Sequence, residues 1–219
     1  MFKTVIFDLD GTLLDTIEDL ARCGIMVCQR HGWKTHSISE YKYFVGNGIP
    51  KLVERFSPPD KRSPEILSST LKEYRELYEL HKEDLTAPYK GIDKLLDELV
   101  SHGIAIGVFS NKDDKMARSV VSHYFPDLEC KVRGRIDNIP PKPDPKGLWE
   151  IMRDMNADKN STLFVGDSNV DILTAKNGLI PSCGVLWGFR TKDELLNEGA
   201  DFIAENPQEL LNIILQKEL

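Results

Sequence analysis

The spacing of apolar positions changes partway along this chain. Residues 3–7 read Lys-Thr-Val-Ile-Phe, a short continuous apolar run that predicts a buried strand. Over residues 15–30 the apolar positions Ile17, Leu20, Ala21, Ile25 and Cys28 fall three or four apart, which places them on one helix face, and Gly32 ends the pattern. Residues 37–85 keep helical spacing throughout. A loop at residues 45–48 and a Pro-Pro turn at residues 57–60 interrupt it, and residues 63–84 read as one long amphipathic helix. After Pro88 and Gly91 the rhythm alternates. Helices predicted at residues 92–102, 114–124, 169–177 and 207–217 alternate with strands at 104–109, 130–133, 162–165, 181–186 and 201–203. Asp144 followed by Pro145 marks one more helix start, with Pro145 at the first helical position.

Strands that alternate with helices predict an α/β fold, a Rossmann-like parallel sheet covered on both faces. The all-helical block, about 70 residues long, is far too long for an ordinary connection. The expected organisation is an α/β core made of residues 1–14 and 86–219, interrupted by a helical domain at residues 15–85, with hinges near Asp15 and Thr86.

The 219 residues are 41% hydrophobic and 29% charged, enough to bury a sizeable core. The net charge of −7 argues against nucleic-acid or anionic-membrane partners, while leaving room for a local basic pocket that holds an anionic small molecule. Cys23, Cys28, Cys130 and Cys183 form no Cys-x-x-Cys pair and read as reduced thiols, which points to a cytoplasmic protein. The chain enters a strand at once, without a secretory leader, and no apolar run approaches the length of a membrane span. The five histidines are scattered at helix ends and Trp149 and Trp187 read as packing residues; neither set suggests chemistry. Monomer and homodimer both remain open.

Ligands of open parallel sheets sit beyond the carboxyl ends of the strands. After the first apolar run come Asp8 and Asp10, with Gly11 following; after the second come Ser110, Asn111 and Lys112; after the strand at 162 come Gly166, Asp167, Ser168 and Asp171. Lys142 sits in a stiff Pro140-Pro141-Lys142-Pro143 segment ahead of a helix. Each residue alone has an ordinary reading: strand-end aspartates, helix caps, a loop hydroxyl, a solvated lysine. Together they put four carboxylates at one sheet edge, where mutual repulsion raises their pKa values unless a cation intervenes. Oxygen donors without Cys or His select Mg²⁺ over zinc.

The segments D-L-D-G-T-L-L-D-T from Asp8, F-S-N-K through Ser110, K-P-D-P from Lys142 and G-D-S-x-x-D-I from Gly166 resemble the four motifs of the haloacid dehalogenase superfamily, in order. The helical insert resembles that superfamily's C1-type cap. Within it, V-G-N-G-I-P-K-L-V-E-R from Val45, together with P-Y-K-G from Pro88, is similar to phosphoglycolate phosphatases and their near relatives, many of which carry Pro where this chain has Lys90. The resemblance implies a Mg²⁺-dependent phosphatase acting on a small phosphorylated metabolite, 2-phosphoglycolate foremost. By the same carry-over Asp8 is the nucleophile and Asp10 the general acid and base, protonated at the first step by virtue of its carboxylate neighbours. Asp8, the Asp10 carbonyl, Asp167 and Asp171 form the metal set. Gly11, Ser110, the Asn111 amide and Lys142 bind phosphate, and the Gly46-Asn47 loop reaches the organic half of the substrate.

A sugar phosphomutase and a pyrophosphatase are alternatives on the same core. A non-catalytic binding module is disfavoured by the intact acids, and haloacid dehalogenation by the presence of Asp10 and the metal set.

Overall fold

Val5, Ile6 and Phe7 are wholly buried, because β1 (Thr4–Phe7) is covered on both faces. In the computed structural model, which describes residues 1–216, β1 lies inside a six-stranded sheet. From β1 the chain passes through β2 (Leu14–Asp15) into α1 (Ile17–Arg30), α2 (Ile38–Phe44), α3 (Ile49–Phe56) and α4 (Pro64–His81), and returns through β3 (Ala87–Pro88). Then α5 (Ile92–Ser101) leads to β4 (Ala105–Asp113), α6 (Asp114–Tyr124) to β5 (Cys130–Arg135), and α7 (Lys146–Asp154) to β6 (Thr162–Gly166). Finally α8 (Asn169–Gly178) leads to β7 (Ser182–Val185), α9 (Lys192–Glu198) to β8 (Phe202–Ala204), and α10 (Pro207–Leu215) follows. The sheet order is β5-β4-β1-β6-β7-β8 with all pairings parallel, a Rossmann-like α/β fold.

The chain divides into two compact units, one of residues 1–14 with those from 88 on, the other of residues 15–87. In the sheet unit, apolar side chains alternate between two cores. Val5, Phe7, Leu9 and Leu13 pack with Leu95 and Leu99 of α5, Val120 of α6 and Ile214 of α10. Ile6, Phe109 and Phe164 pack on the other face with Leu148, Ile151 and Met152 of α7.

The helical unit is held by a chain of rings, Tyr41 to Phe56 at 6.2 Å, Phe56 to Tyr74 at 5.8 Å and Tyr74 to Tyr78 at 6.0 Å between centroids. Gly24 in α1 makes room for them, since a Cβ there would lie 2.3 Å from the Tyr41 hydroxyl. Asp19, 1% exposed, accepts the amides of Leu85 and Thr86 and the Thr86 hydroxyl, the last two at 2.8 Å.

Several boundaries differ from the expectation, each for a local reason. α4 stops at His81, short of residue 84, and the chain beyond it supplies Leu85 and Thr86 to Asp19. Pro145 is the N-cap of α7 and not its first residue, although the Asp144 carboxylate still takes the Lys146 amide at 2.9 Å. β4 continues past residue 109 to Asp113, which pairs with Arg135. α9 was not expected; its signal is the Thr191–Glu194 capping box with Gly199 in the left-handed region at φ +97°. Trp149 is 44% exposed with Lys159 over its ring at 5.4 Å, so it is a surface residue and not a packing one. The last helix ends at Leu215, with Gln216 in the left-handed region at φ +53°, short of the predicted residue 217, which lies outside the described residues.

Because β1 is packed on both faces, Phe7→Ala is expected to lower the unfolding free energy by about 3–5 kcal/mol, read from the midpoint of urea denaturation. A loss below about 1 kcal/mol would show that the two cores do not depend on the central strand.

Candidate active site

Three strands, β4, β1 and β6, lie side by side, with Phe7, the last residue of β1, in register with Val108 on one flank and Val165 on the other. The residues just beyond this level are therefore neighbours in space. The Asp8 amide donates to the Val165 carbonyl at 2.8 Å, carrying the sheet pairing one residue past β1. Leu9 joins Val5 and Phe7 in one core, so Asp8 and Asp10 occupy the alternate positions. The chain then turns, the Gly11 amide donating to the Leu14 carbonyl at 2.8 Å. Gly11 stands at φ +91°, and a Cβ there would fall 2.5 Å from Asp167 Oδ2. A Cβ on Gly188 would lie 2.3 Å from Asp167 Cβ, so Asp167 sits in a slot made by two glycines.

Asp8, Asp167 and Asp171 are all buried, and each offers a carboxylate oxygen within 4.8 Å of the others. Lys142 Nζ donates to Asp8 Oδ1 and to Asp171 Oδ1, both at 2.7 Å, and to the Phe109 carbonyl at 3.1 Å. The backbone of Lys142 is pinned by Asn111, whose Nδ2 donates to the Lys142 carbonyl at 3.1 Å and whose Oδ1 accepts the Lys142 amide at 2.8 Å. The other Asp171 oxygen accepts the Ser168 amide at 3.0 Å and hydroxyl at 2.6 Å, a capping box at the start of α8. Asp167 accepts the Phe189 amide at 2.7 Å and the Thr12 hydroxyl at 3.3 Å. Asp10 faces Lys112, whose Nζ donates to its two oxygens at 2.9 and 3.2 Å.

Burial pushes the Asp8 carboxyl up to about 7; the Lys142 ammonium opposes this and Asp171 adds to it. Burial also raises Asp167 well above the usual carboxylate range, with Asp171 and Asp8 contributing and the Phe189 amide opposing. Burial disfavours the Lys142 ammonium, yet Asp171 and Asp8 together hold it above the ordinary lysine value. One ammonium among three buried carboxylates leaves excess negative charge, and the donors are all oxygen. That set fits a hard divalent cation.

The structure thus brings Asp8, Asp10, Gly11, Ser110, Asn111, Lys142, Asp167 and Asp171 to one sheet edge. Ser110 and Asn111 lie within β4 and not beyond it, and Ser110 Oγ accepts the Lys112 amide at 3.2 Å. The nearest charged partner of Asp10 is an ammonium, where the sequence had suggested carboxylates. Gly46 and Asn47 belong to the helical unit, in the turn between α2 and α3, where Asn47 Oδ1 accepts from Arg55 at 2.7 Å. Sequence reasoning gave no role to Lys112, Thr12 or the loop after β7, where Trp187 donates to the Thr12 carbonyl at 2.9 Å and Phe189 holds Asp167. The strand-end rule that found Asp8 and Asp167 points to that loop too, once β7 is recognised as ending at Val185.

The family model of haloacid dehalogenase-like hydrolases matches residues 5–185, which include both edges of this site up to the end of β7. The chain belongs to the haloacid dehalogenase-like hydrolases. A phosphoglycolate phosphatase of Vibrio cholerae is 30% identical, the match covering 97% of each chain. An N-acetylmuramic acid 6-phosphate phosphatase of Pseudomonas aeruginosa is 28% identical over 97% of this chain and 94% of its own length. Among solved structures, one from Lactobacillus delbrueckii subsp. bulgaricus aligns with a TM-score of 0.92 at 26% identity, over 97% of this chain and 98% of that one. A haloacid dehalogenase-like family protein of Streptococcus pneumoniae, at 21% identity and a TM-score of 0.86, shares the fold.

The raised Asp8 pKa has a consequence for stability. Folded Asp8 keeps a proton that the unfolded chain has already lost, from about pH 4 up to about 7. Its contribution to stability therefore falls as pH rises through that window. Without metal, Asp8→Asn is expected to gain in melting temperature relative to the parent as pH goes from about 5 to about 8. Divalent cation should reverse the order, because it favours the ionised acid. Thermal melts with EDTA or Mg²⁺ test this; parallel pH profiles would refute it.

Proposed function

We propose that this chain, a phosphoric monoester hydrolase of the haloacid dehalogenase-like family, hydrolyses a small phosphorylated metabolite in a Mg²⁺-dependent reaction through an aspartyl-phosphate on Asp8, with 2-phosphoglycolate the favoured substrate. One observation carries the reading: Asp8, Asp167 and Asp171 are buried together around the ammonium of Lys142. Such a group is costly unless a cation and an anionic ligand complete it.

Asp8, Asp167 and Asp171, with the carbonyl of Asp10, would hold Mg²⁺, which supplies positive charge opposite the phosphoryl oxygens when bound. In the first step an Asp8 carboxylate oxygen attacks phosphorus, the bond to the ester oxygen breaks, and Asp10 gives that oxygen its proton. In the second step water attacks the same phosphorus, its proton passes to Asp10, and the bond to Asp8 breaks. Lys142 offsets the charge that spreads over the phosphoryl group and Asp8. Ser110 and the Asn111 amide bind phosphate oxygens, and Gly11 leaves space beside Asp8 for the phosphoryl group. The Vibrio cholerae relative supports phosphoglycolate, while the Pseudomonas aeruginosa relative makes a sugar phosphate the substrate to test beside it. The four free thiols suit a reducing, cytoplasmic setting. Among the described residues no helix is long and apolar enough to cross a membrane.

Phosphate release is to be measured with purified protein on 2-phosphoglycolate, sugar phosphates and pyrophosphate, with Mg²⁺ and with EDTA. The expected result is release from phosphoglycolate that EDTA abolishes. Asp8→Asn should lower it by at least about 10³-fold while the melting curve remains cooperative. Isomerisation of a sugar phosphate without phosphate release would instead identify a mutase, and absence of turnover on every ester would refute an enzymatic role.

A further inference from the structure

Asp8, Asp167 and Asp171 gather around a metal position, yet the carboxylate of Asp10, two residues from Asp8, stands outside that group. A hard cation takes any carboxylate oxygen within reach, so something must keep Asp10 apart. Its ion-pair partner is Lys112, which meets both of its oxygens. The other ammonium at this edge, Lys142, is already shared by Asp8 and Asp171.

The Lys112 side chain is 2% exposed and that of Asp10 14%. Burying a lysine this deeply is unfavourable unless its pairing does something. The backbone is built to present it. β4 runs on past its register shift between Phe109 and Asp113, where Asp113 pairs with Arg135. Gly134 on β5 lies against this extension so closely that a Cβ would meet the Lys112 carbonyl at 2.6 Å and Asp114 Cα at 2.5 Å. The Gly134 amide donates to Asp114 Oδ1 at 2.8 Å, and Arg118 grips the same carboxylate at 2.7 Å. These contacts fix the strand end from which Lys112 reaches Asp10.

We propose that Lys112 is a positioning residue: its ammonium holds the Asp10 carboxylate apart from the Asp8–Asp167–Asp171 group, so that the acid and base of the reaction is not captured as a metal ligand. This rests on the function proposed above. Lys112 touches neither phosphorus nor the leaving oxygen; it acts through Asp10.

The test has two arms. In the first, Mn²⁺ binding to the protein without substrate is measured by calorimetry. Lys112→Met is expected to bind Mn²⁺ about tenfold more tightly, since the released Asp10 can join the set. Lys112→Met combined with Asp10→Asn should return to the parent affinity. In the second arm, kcat and KM are compared on 2-phosphoglycolate and on p-nitrophenyl phosphate, whose leaving group needs no proton. Lys112→Met should lose about 10²-fold in kcat on the former, clearly less on the latter, and little in KM. Lys112→Arg should restore most of the loss, and Lys112→Met should cost nothing further in an Asp10→Asn background.

Unchanged Mn²⁺ affinity, equal losses on both esters, or additive losses in the double variant would each overturn the proposal. Should Lys112→Met not fold, Gly134→Ala shifts the same strand end with the charge kept. It must then show the same ester-selective loss, and an equal loss on both esters overturns the proposal. A parent protein that releases no phosphate sinks the proposed function instead, and the Mn²⁺ arm still decides the role of Lys112.

Discussion

The site depends on one ammonium, Lys142, lodged between two buried carboxylates and a backbone carbonyl. Three acids crowded at the end of a sheet repel one another, and burial strengthens that repulsion because water no longer screens it. Lys142 offsets part of the charge and leaves the rest. The residual charge makes the edge receptive to a hard cation, and the cation in turn makes it receptive to a phosphate. The rest of the sheet unit can be understood as what holds that ammonium in place: Asn111 clamps its backbone from β4, and the Phe109 and Phe164 rings lie beneath it at 5.7 and 5.5 Å.

The parallel sheet makes such crowding geometrically possible. β4, β1 and β6 are adjacent and in register at Val108, Phe7 and Val165, so residues far apart in sequence arrive at one edge with little backbone adjustment. The apolar side chains of β1 go alternately to two cores, which prevents the strand from slipping by one residue, since a slip would exchange Asp8 with an apolar neighbour. Stability of the core and placement of the charged site are thus one constraint. The glycines at 11 and 188 serve the same end, because any side chain there would occupy the volume of Asp167.

The helical unit is built on a different principle. Its core is a line of aromatic rings, and the chain that leaves α4 is tied to α1 through one buried carboxylate, Asp19. The tie satisfies two backbone amides and a hydroxyl in a segment that has no regular structure to satisfy them. It explains why a pattern that runs helical to residue 84 yields a helix that stops at His81.

The sequence by itself determined the alternation of strands and helices, the position of the helical insert, and which acids would stand at strand ends. Each of these follows from local spacing: a continuous apolar run ended by Asp8 and Asp10, or Gly-Asp-Ser after the run at 162. A box such as Thr191 to Glu194 was equally local and was overlooked. Only the tertiary structure decided which charges pair. Nothing in the order of residues says that Lys142 is shared by Asp8 and Asp171 while Lys112 goes to Asp10, because both lysines follow polar or Pro-rich segments and both are compatible with any acid at the edge. The pairing was set by a strand that runs four residues further than its apolar run, held against Gly134, and by a loop after β7 that folds back over Asp167. Pairings of this kind depend on ångström distances between segments 100 or more residues apart, and such distances exist only once the sheet has assembled.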